Sequence, residues 1–252
     1  MMAASAGTIC WDLDGTLDSR PRMWSGACME ALDELLPGHM VSIDEMRSGL
    51  SAGFPWNAPQ HSYVHLSEPN EWWAHVTGHF QAVLRSLGVR EGLDTITQRV
   101  RQKIVDASRY QVYDDVVPTL EALAAEGWQH LIVSNHIPEL DQVVAQLGLK
   151  GFFTEVVSSA RIGYEKPRPE IFRHALRAAV HGRPVWMIGD NPKADCLPAV
   201  DLGIRAILVR TSPGPFAPYA PDLRAAAHIV RSHGAKQNTS ANPSSRAPTQ
   251  TN

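Results

Sequence analysis

A chain of 252 residues, 44% apolar and 19% charged, can bury one generous α/β domain or a core domain carrying a smaller insert; this excludes disorder throughout and leaves little room for two large domains. A formal net charge of −3 gives no long-range field that would gather nucleic acid or an anionic membrane, so any phosphate must be held by a local site. Met1 to Thr8 carries neither a basic leader nor an apolar stretch of signal-peptide length, and no later run nears the roughly 20 apolar residues of a membrane span, so a soluble cytoplasmic protein is expected.

The first predicted element is a β-prone run, Thr8-Ile9-Cys10-Trp11, which ends in Asp12-Leu13-Asp14-Gly15-Thr16, where glycine permits a sharp turn. From about Ser19 to Val112 the pattern turns helical, with helices over Trp24 to Leu36, Glu71 to Leu87 and Leu93 to Tyr110. The prolines and glycine of Gly53-Phe54-Pro55-Trp56-Asn57-Ala58-Pro59 predict a loop between those helices, placed to face a ligand. Helices over 117–126, 138–147, 169–180 and 193–202 then alternate with strands over 130–133, 155–157, 185–188 and 206–209. That alternation is the mark of right-handed βαβ units. The fold expected is α/β: a doubly wound, open parallel, Rossmann-like sheet over residues 1–18 and 112–232, with a smaller all-helical cap over 19–111 and a disordered polar tail over 233–252. Cys10, Cys28 and Cys196 lie far apart and read as free thiols serving packing.

In an open parallel sheet ligands bind beyond the carboxyl ends of the strands, and four such ends carry polar residues here: Asp12 with Asp14, Ser134 with Asn135, the loop at Lys166, and Asp190 with Asp195. Taken singly each has a plainer reading, as a surface turn, a helix cap or an exposed lysine. Their fall at successive strand ends favours a common site. Asp12, Asp14 and Asp190 would repel one another unless a cation sat among them, and hard oxygen ligands suit Mg²⁺. Beside that ion Asp12 can attack phosphorus as a nucleophile, and Asp14 can serve as general acid and base. The phosphate-facing set is Lys166, the Ser134 hydroxyl, the backbone amides near Leu13 and Asn135, and Thr16, which can also steady the turn.

These residues resemble the motifs of the haloacid dehalogenase (HAD) superfamily. Asp12-Leu13-Asp14-Gly15-Thr16-Leu17 matches the first motif, and Leu131-Ile132-Val133-Ser134-Asn135 is similar to the second. The stretch from Tyr164 to Phe172 resembles the third, and the stretch from Ile188 to Asp195 the fourth. One departure is that Leu17 is followed directly by Asp18, without the residue the family often has between them. The resemblance implies an aspartyl-phosphate enzyme in which Asp12, the backbone carbonyl of Asp14 and Asp190 hold Mg²⁺, Asp195 supports them, and the helical insert is a cap that closes over the substrate. The dehalogenase members resemble a pattern with a single acid in the first motif, which Asp14 breaks. The expected activity is hydrolysis of a small phosphomonoester; a phosphotransferase or mutase of the same superfamily, and a non-catalytic binding protein, are the alternatives.

The insert holds four of the seven tryptophans, Trp24, Trp56, Trp72 and Trp73, together with His61, His65, His75 and His79. The bulky residues read first as the cap's own core, ahead of an aromatic substrate pocket. His75 and His79 have the spacing of a zinc pair, but no third ligand is evident. Arg20 and Arg22, just past the catalytic turn, are candidates to grip a second anionic group, pointing to a phosphoglycolate-like substrate. The expected partner is a small phosphorylated metabolite, with no nucleic acid and no membrane, bound by a monomer or homodimer.

Overall fold

The computed structural model describes residues 5–212, 214 and 216–240. Strand β1 (Gly7–Trp11), buried along its whole length, is the centre of a six-stranded sheet. It pairs in parallel with β4 (Trp128–Ser134) on one side and β6 (Val185–Gly189) on the other. Strand β5 (Phe153–Ser158) continues beyond β4, while β7 (Arg205–Val209) and β8 (Tyr219–Ala220) continue beyond β6, giving the parallel order β5-β4-β1-β6-β7-β8. Strands covered on both faces read as unbroken apolar runs, which is why Leu131-Ile132-Val133 and Val185-Trp186-Met187-Ile188 lack alternation. Chain order reverses direction at β1, and that switch point opens a crevice above the strand ends.

Helices α5 (Val116–Ala125) and α10 (Leu223–Ser240) cover one face, with Trp11, Leu120, Ile132, Ile188 and Ala226 in a shared core. Helices α8 (Pro169–Ala178) and α9 (Leu197–Asp201) cover the other, where Cys10, Leu131, Met187, Phe172 and Ala199 meet. Two shorter helices, α6 (Leu140–Gln146) and α7 (Ser159–Ile162), follow β4 and β5. Between β2 (Asp18–Ser19) and β3 (Gln111–Val112), which pair antiparallel, the chain forms the helical layer α1 (Met23–Leu35), α2 (Ile43–Gly49), α3 (Pro69–Ser86) and α4 (Leu93–Val105). Its own core includes Leu32, Met46, Trp72, Phe80, Val100 and Ile104. Each such side chain contributes about 1.5–3 kcal/mol by leaving water.

This layer is seated on the sheet domain. Ile137, Val143 and Ala160 join the layer's core, the Tyr63 amide donates to the Gly163 carbonyl at 2.8 Å, and Glu139 accepts from both Trp73 Nε1 at 2.9 Å and Arg101 at 2.8 Å. No helix among the described residues is long and apolar enough to cross a membrane.

Besides the short elements β2, β3, α2, α7 and β8, which are absent from the sequence-based expectation, three stretches depart from it. The helix expected over 193–202 begins as a wide π-type turn, Pro192–Cys196, before α9; Asn191 Oδ1 accepts the amides of Lys193 and Ala194 there, and Asp195 is drawn inward. The helix expected to reach Tyr110 stops at Val105, where the Arg20 guanidinium takes the carbonyls of Lys103 and Ile104. Helix α10 runs to Ser240, into the stretch expected to be a disordered tail, because a helix docked by Ala226, Ala227 and Val230 propagates at little cost; residues 241–252 of that tail lie outside the described residues.

Candidate active site

Asp12 follows β1 directly, and its amide donates to the Ile188 carbonyl at 2.9 Å, so the last register of the sheet carries it between the ends of β4 and β6. The next residues fold back tightly, with Thr16 and Leu17 both donating to the Leu13 carbonyl. Gly15 makes this possible: its φ is +80°, and a Cβ there would stand 2.4 Å from Asp190 Oδ2. The absence of a side chain at residue 15 is what lets the first acidic turn touch the acid from β6.

Lys166 ties the floor together. Its ammonium, almost wholly buried, donates to Asp12 Oδ1 at 2.8 Å, to Asp195 Oδ1 at 2.6 Å and to the Val133 carbonyl at 3.0 Å. Burial opposes the charge, but Asp12 and Asp195 more than offset it and hold the lysine protonated above its ordinary range. Asn135 sets the lysine in place from the backbone side, accepting the Lys166 amide at 2.7 Å and donating to its carbonyl at 3.0 Å. The remaining oxygen of Asp195 accepts the Asn191 amide at 3.0 Å, so both its oxygens are engaged by protein.

Carboxylate oxygens of Asp12, Asp190 and Asp195 lie within 4.8 Å of one another. Burial, and then the charge of Asp12, push Asp190 up to about 6, and burial drives Asp195 up to about 7 against the pull of Lys166. Crowded acids reluctant to ionise together are what a divalent cation would relieve, and a set made only of hard oxygens fits Mg²⁺. Because Asp195 is saturated by Lys166 and Asn191, Asp12 and Asp190 are the carboxylates free to hold such an ion. The Asp14 carboxyl stands apart from that trio. Its Oδ2 lies 3.6 Å from His136 Nε2, and the group is pushed above the ordinary carboxylate range, first by burial and then by Asp12. His136 is itself driven down to about 3 by burial and by Arg20, so the imidazole beside Asp14 is neutral.

Above these groups opens a cleft of about 470 Å³, whose floor includes Asp12, Asp14, Ser134, Asn135, Lys166, Asp190 and Asp195. Seven of the residues expected from sequence therefore meet at one place. One does not reach it as expected: Thr16 is fully buried with its hydroxyl unpartnered, so it supports the turn by packing. The Leu13 side chain lies in the core, and its backbone, the part expected to face phosphate, is what remains available to the cleft. Arg20 is spent on the end of α4 and stacks over Tyr110 at 4.4 Å; Arg22 is exposed and absent from the cleft wall, so neither arginine serves as the expected second anion grip.

The cap-side wall consists of Trp24, Trp56 and Pro59. The loop expected to face a ligand does so, and Gly53 (φ +93°) anchors it, because a Cβ there would run into the His79 ring at 2.3 Å. The tryptophans divide: Trp72 and Trp73 are core, as expected, while Trp24 and Trp56 are half-buried and front the cleft. Sequence reasoning missed His136, whose only signal was its position two residues beyond Ser134, and Lys193 and Asn191 on the cleft rim.

Residues 6–203 match the family model of haloacid dehalogenase-like hydrolases. The chain is 29% identical over 236 residues to human haloacid dehalogenase-like hydrolase domain-containing protein 3, covering 89% of each, and 34% identical over 119 residues to a phosphoserine phosphatase of Thermus thermophilus, covering 46% of this chain and 48% of the relative. A magnesium-bound HAD-hydrolase of Bacillus subtilis, YfnB, superposes with a TM-score of 0.67 at 16% identity over 90% of this chain and all of that one, a likeness of fold. With its parallel sheet and its acids at the switch point, the chain belongs to the haloacid dehalogenase-like hydrolase family.

Proposed function

We propose that this protein is a Mg²⁺-dependent phosphatase that hydrolyses a small phosphomonoester through an aspartyl-phosphate on Asp12, acting in the cytoplasm as a monomer or homodimer. The observation that carries this reading is Asp12 held at 2.8 Å by the Lys166 ammonium, within reach of Asp190, with the raised acid Asp14 two residues away. A bound Mg²⁺, held by Asp12 and Asp190 with the Asp14 carbonyl, would supply charge neutralisation between the carboxylate and the phosphoryl group.

An Asp12 oxygen attacks phosphorus, the bond from phosphorus to the ester oxygen breaks, and protonated Asp14 gives its proton to the departing alcohol. Lys166 and the Ser134 hydroxyl meet the phosphoryl oxygens as their charge spreads. Water then attacks phosphorus while Asp14 takes its proton back; the bond to Asp12 breaks, and inorganic phosphate leaves. The phosphatase named among the relatives supports hydrolysis over transfer. A phosphoglycolate-like preference has no support from Arg20 or Arg22, and a vestigial binding role is disfavoured by the complete set of acids.

Phosphate release from a panel of phosphomonoesters, with Mg²⁺ and after chelation, tests the reading. Release that needs the ion and disappears in Asp12→Asn is expected. A rearranged phosphoester in place of free phosphate would make the protein a mutase, and release that survives Asp12→Asn would overturn the proposed nucleophile.

A further inference from the structure

The cleft has two unlike halves. Every charged side chain on its wall comes from the sheet domain, whereas the cap contributes only Trp24, Trp56 and Pro59. The two indoles are 5.4 Å apart and inclined at 38°. They are also backed: Phe54 stacks on Trp56 at 4.6 Å and 8°, and lies 4.8 Å from Trp24, with Trp72 and Phe80 filling in behind. Phe54, Trp72 and Phe80 are buried, so the rings that front the cleft rest on a packed base and are held open to it without rearrangement. Rigid indoles left half-exposed opposite a phosphoryl site recover the cost of their exposure only when apolar surface covers them.

Resting on the proposed hydrolysis at Asp12, we infer that Trp24 and Trp56 form a leaving-group subsite for an uncharged, ring-bearing alcohol, so that the substrates are phosphomonoesters carrying a flat apolar or heterocyclic group near the phosphate. A carboxylate-bearing leaving group finds no free cation against the indoles among the described residues: Lys166 serves the phosphoryl end, Lys193 stands on the rim that the sheet domain contributes, and Arg20, in the hollow beside Trp24, gives its guanidinium to the carbonyls of Lys103 and Ile104. Ring stacking on one aromatic side chain commonly changes binding by about 5- to 100-fold, enough to set the order of preference among esters of equal reactivity.

The test compares benzyl phosphate with ethyl phosphate, whose alcohols are similar leaving groups, and with 2-phosphoglycolate, using acetyl phosphate, an acyl phosphate, as a small activated phosphoryl donor. A kcat/KM for benzyl phosphate at least about tenfold above ethyl phosphate, with 2-phosphoglycolate poorest, is expected. Trp56→Ala should lower the benzyl-to-ethyl ratio by at least about fivefold, and Trp56→Phe, which keeps a ring on Phe54, should restore part of it. Equal use of benzyl and ethyl phosphate, or a ratio unmoved by Trp56→Ala in protein whose circular dichroism is native, overturns the subsite while leaving hydrolysis standing. No enzyme-dependent phosphate release from any of the three esters or from acetyl phosphate overturns both.

Discussion

Lys166 on the floor of the cleft gives its ammonium to three oxygens within 3.0 Å, while the wall facing it presents two indoles and a proline. On the floor, position is set by directional bonds between distant strand ends, and one misplaced atom disturbs several partners. On the cap, position is set by packing among rings, which tolerates substitution by other rings. The comparison teaches that the proposed reaction rests on the sheet domain and the proposed selectivity on the insert, two parts held in place by different forces.

The floor is expected to break most sharply at the proposed nucleophile. Asp12→Asn should lower turnover by at least about a thousandfold, measured as phosphate release, while cooperative melting persists because Lys166 keeps Asp195 and the Val133 carbonyl. Gly15→Ala comes next. The new methyl must displace Asp190 from a turn that already requires a positive φ, so activity should fall by about a hundredfold, and calorimetry should record weaker Mg²⁺ binding together with a stability loss of at least about 1 kcal/mol.

A third measurement reads the acid load buried behind the floor. Asp18 is fully buried with neither carboxyl oxygen partnered, and burial, then Asp14 and Asp12, push it up to about 9 from an unfolded value of 3.8. Between those pH values the folded chain holds a proton that the unfolded chain releases. Its contribution to stability is therefore complete below about pH 4 and is lost as pH rises through about 9, at up to about 1.4 kcal/mol per pH unit. In metal-free protein, denaturant melts from pH 5 to 8 should show this decline, and Asp18→Asn should flatten it; an unchanged slope would mean that other acids carry the load. The smallest effect is expected at the seam between floor and cap. Glu139→Gln weakens the acceptor shared by Trp73 and Arg101 and should raise KM about two- to fivefold with little change in kcat.

The floor was legible because its chemistry is written in residues that rarely cluster without cause: Asp12 with Asp14, and Asp190, directly follow strand runs that could be seen in order, and Lys166 lies in the loop before the next helix. The alternation of apolar runs with helical periods likewise predicted β1, β4, β5, β6 and β7, and α5, α6, α8 and α9, to within a few residues, but gave no sign of α7, β8 or α10. The cap resisted for physical reasons. Nothing in the order of Trp24, Trp56, Trp72 and Trp73 tells which two front the cleft, because that depends on how rings from α1, α3 and the loop carrying Phe54 and Trp56 pack on one another. Helix α2 went unpredicted although Ser42 and Glu45 form its capping box, a local signal that a short polar helix can hide. Arg20 looked free because its partners, the carbonyls ending α4, lie more than eighty residues away. His136 acquires its meaning only once Asp14 folds back against it.

The ribbon that joins cap to core has a consequence of its own. Ser19 pairs with Gln111, so the chain departs from the sheet and returns to it at points one strand spacing apart, about 5 Å. A detour that begins and ends at the same doorway leaves the order and register of the sheet indifferent to what is built outside. Evolution could therefore exchange the whole excursion, and with it the choice of molecule admitted, without renegotiating the machinery that cleaves it.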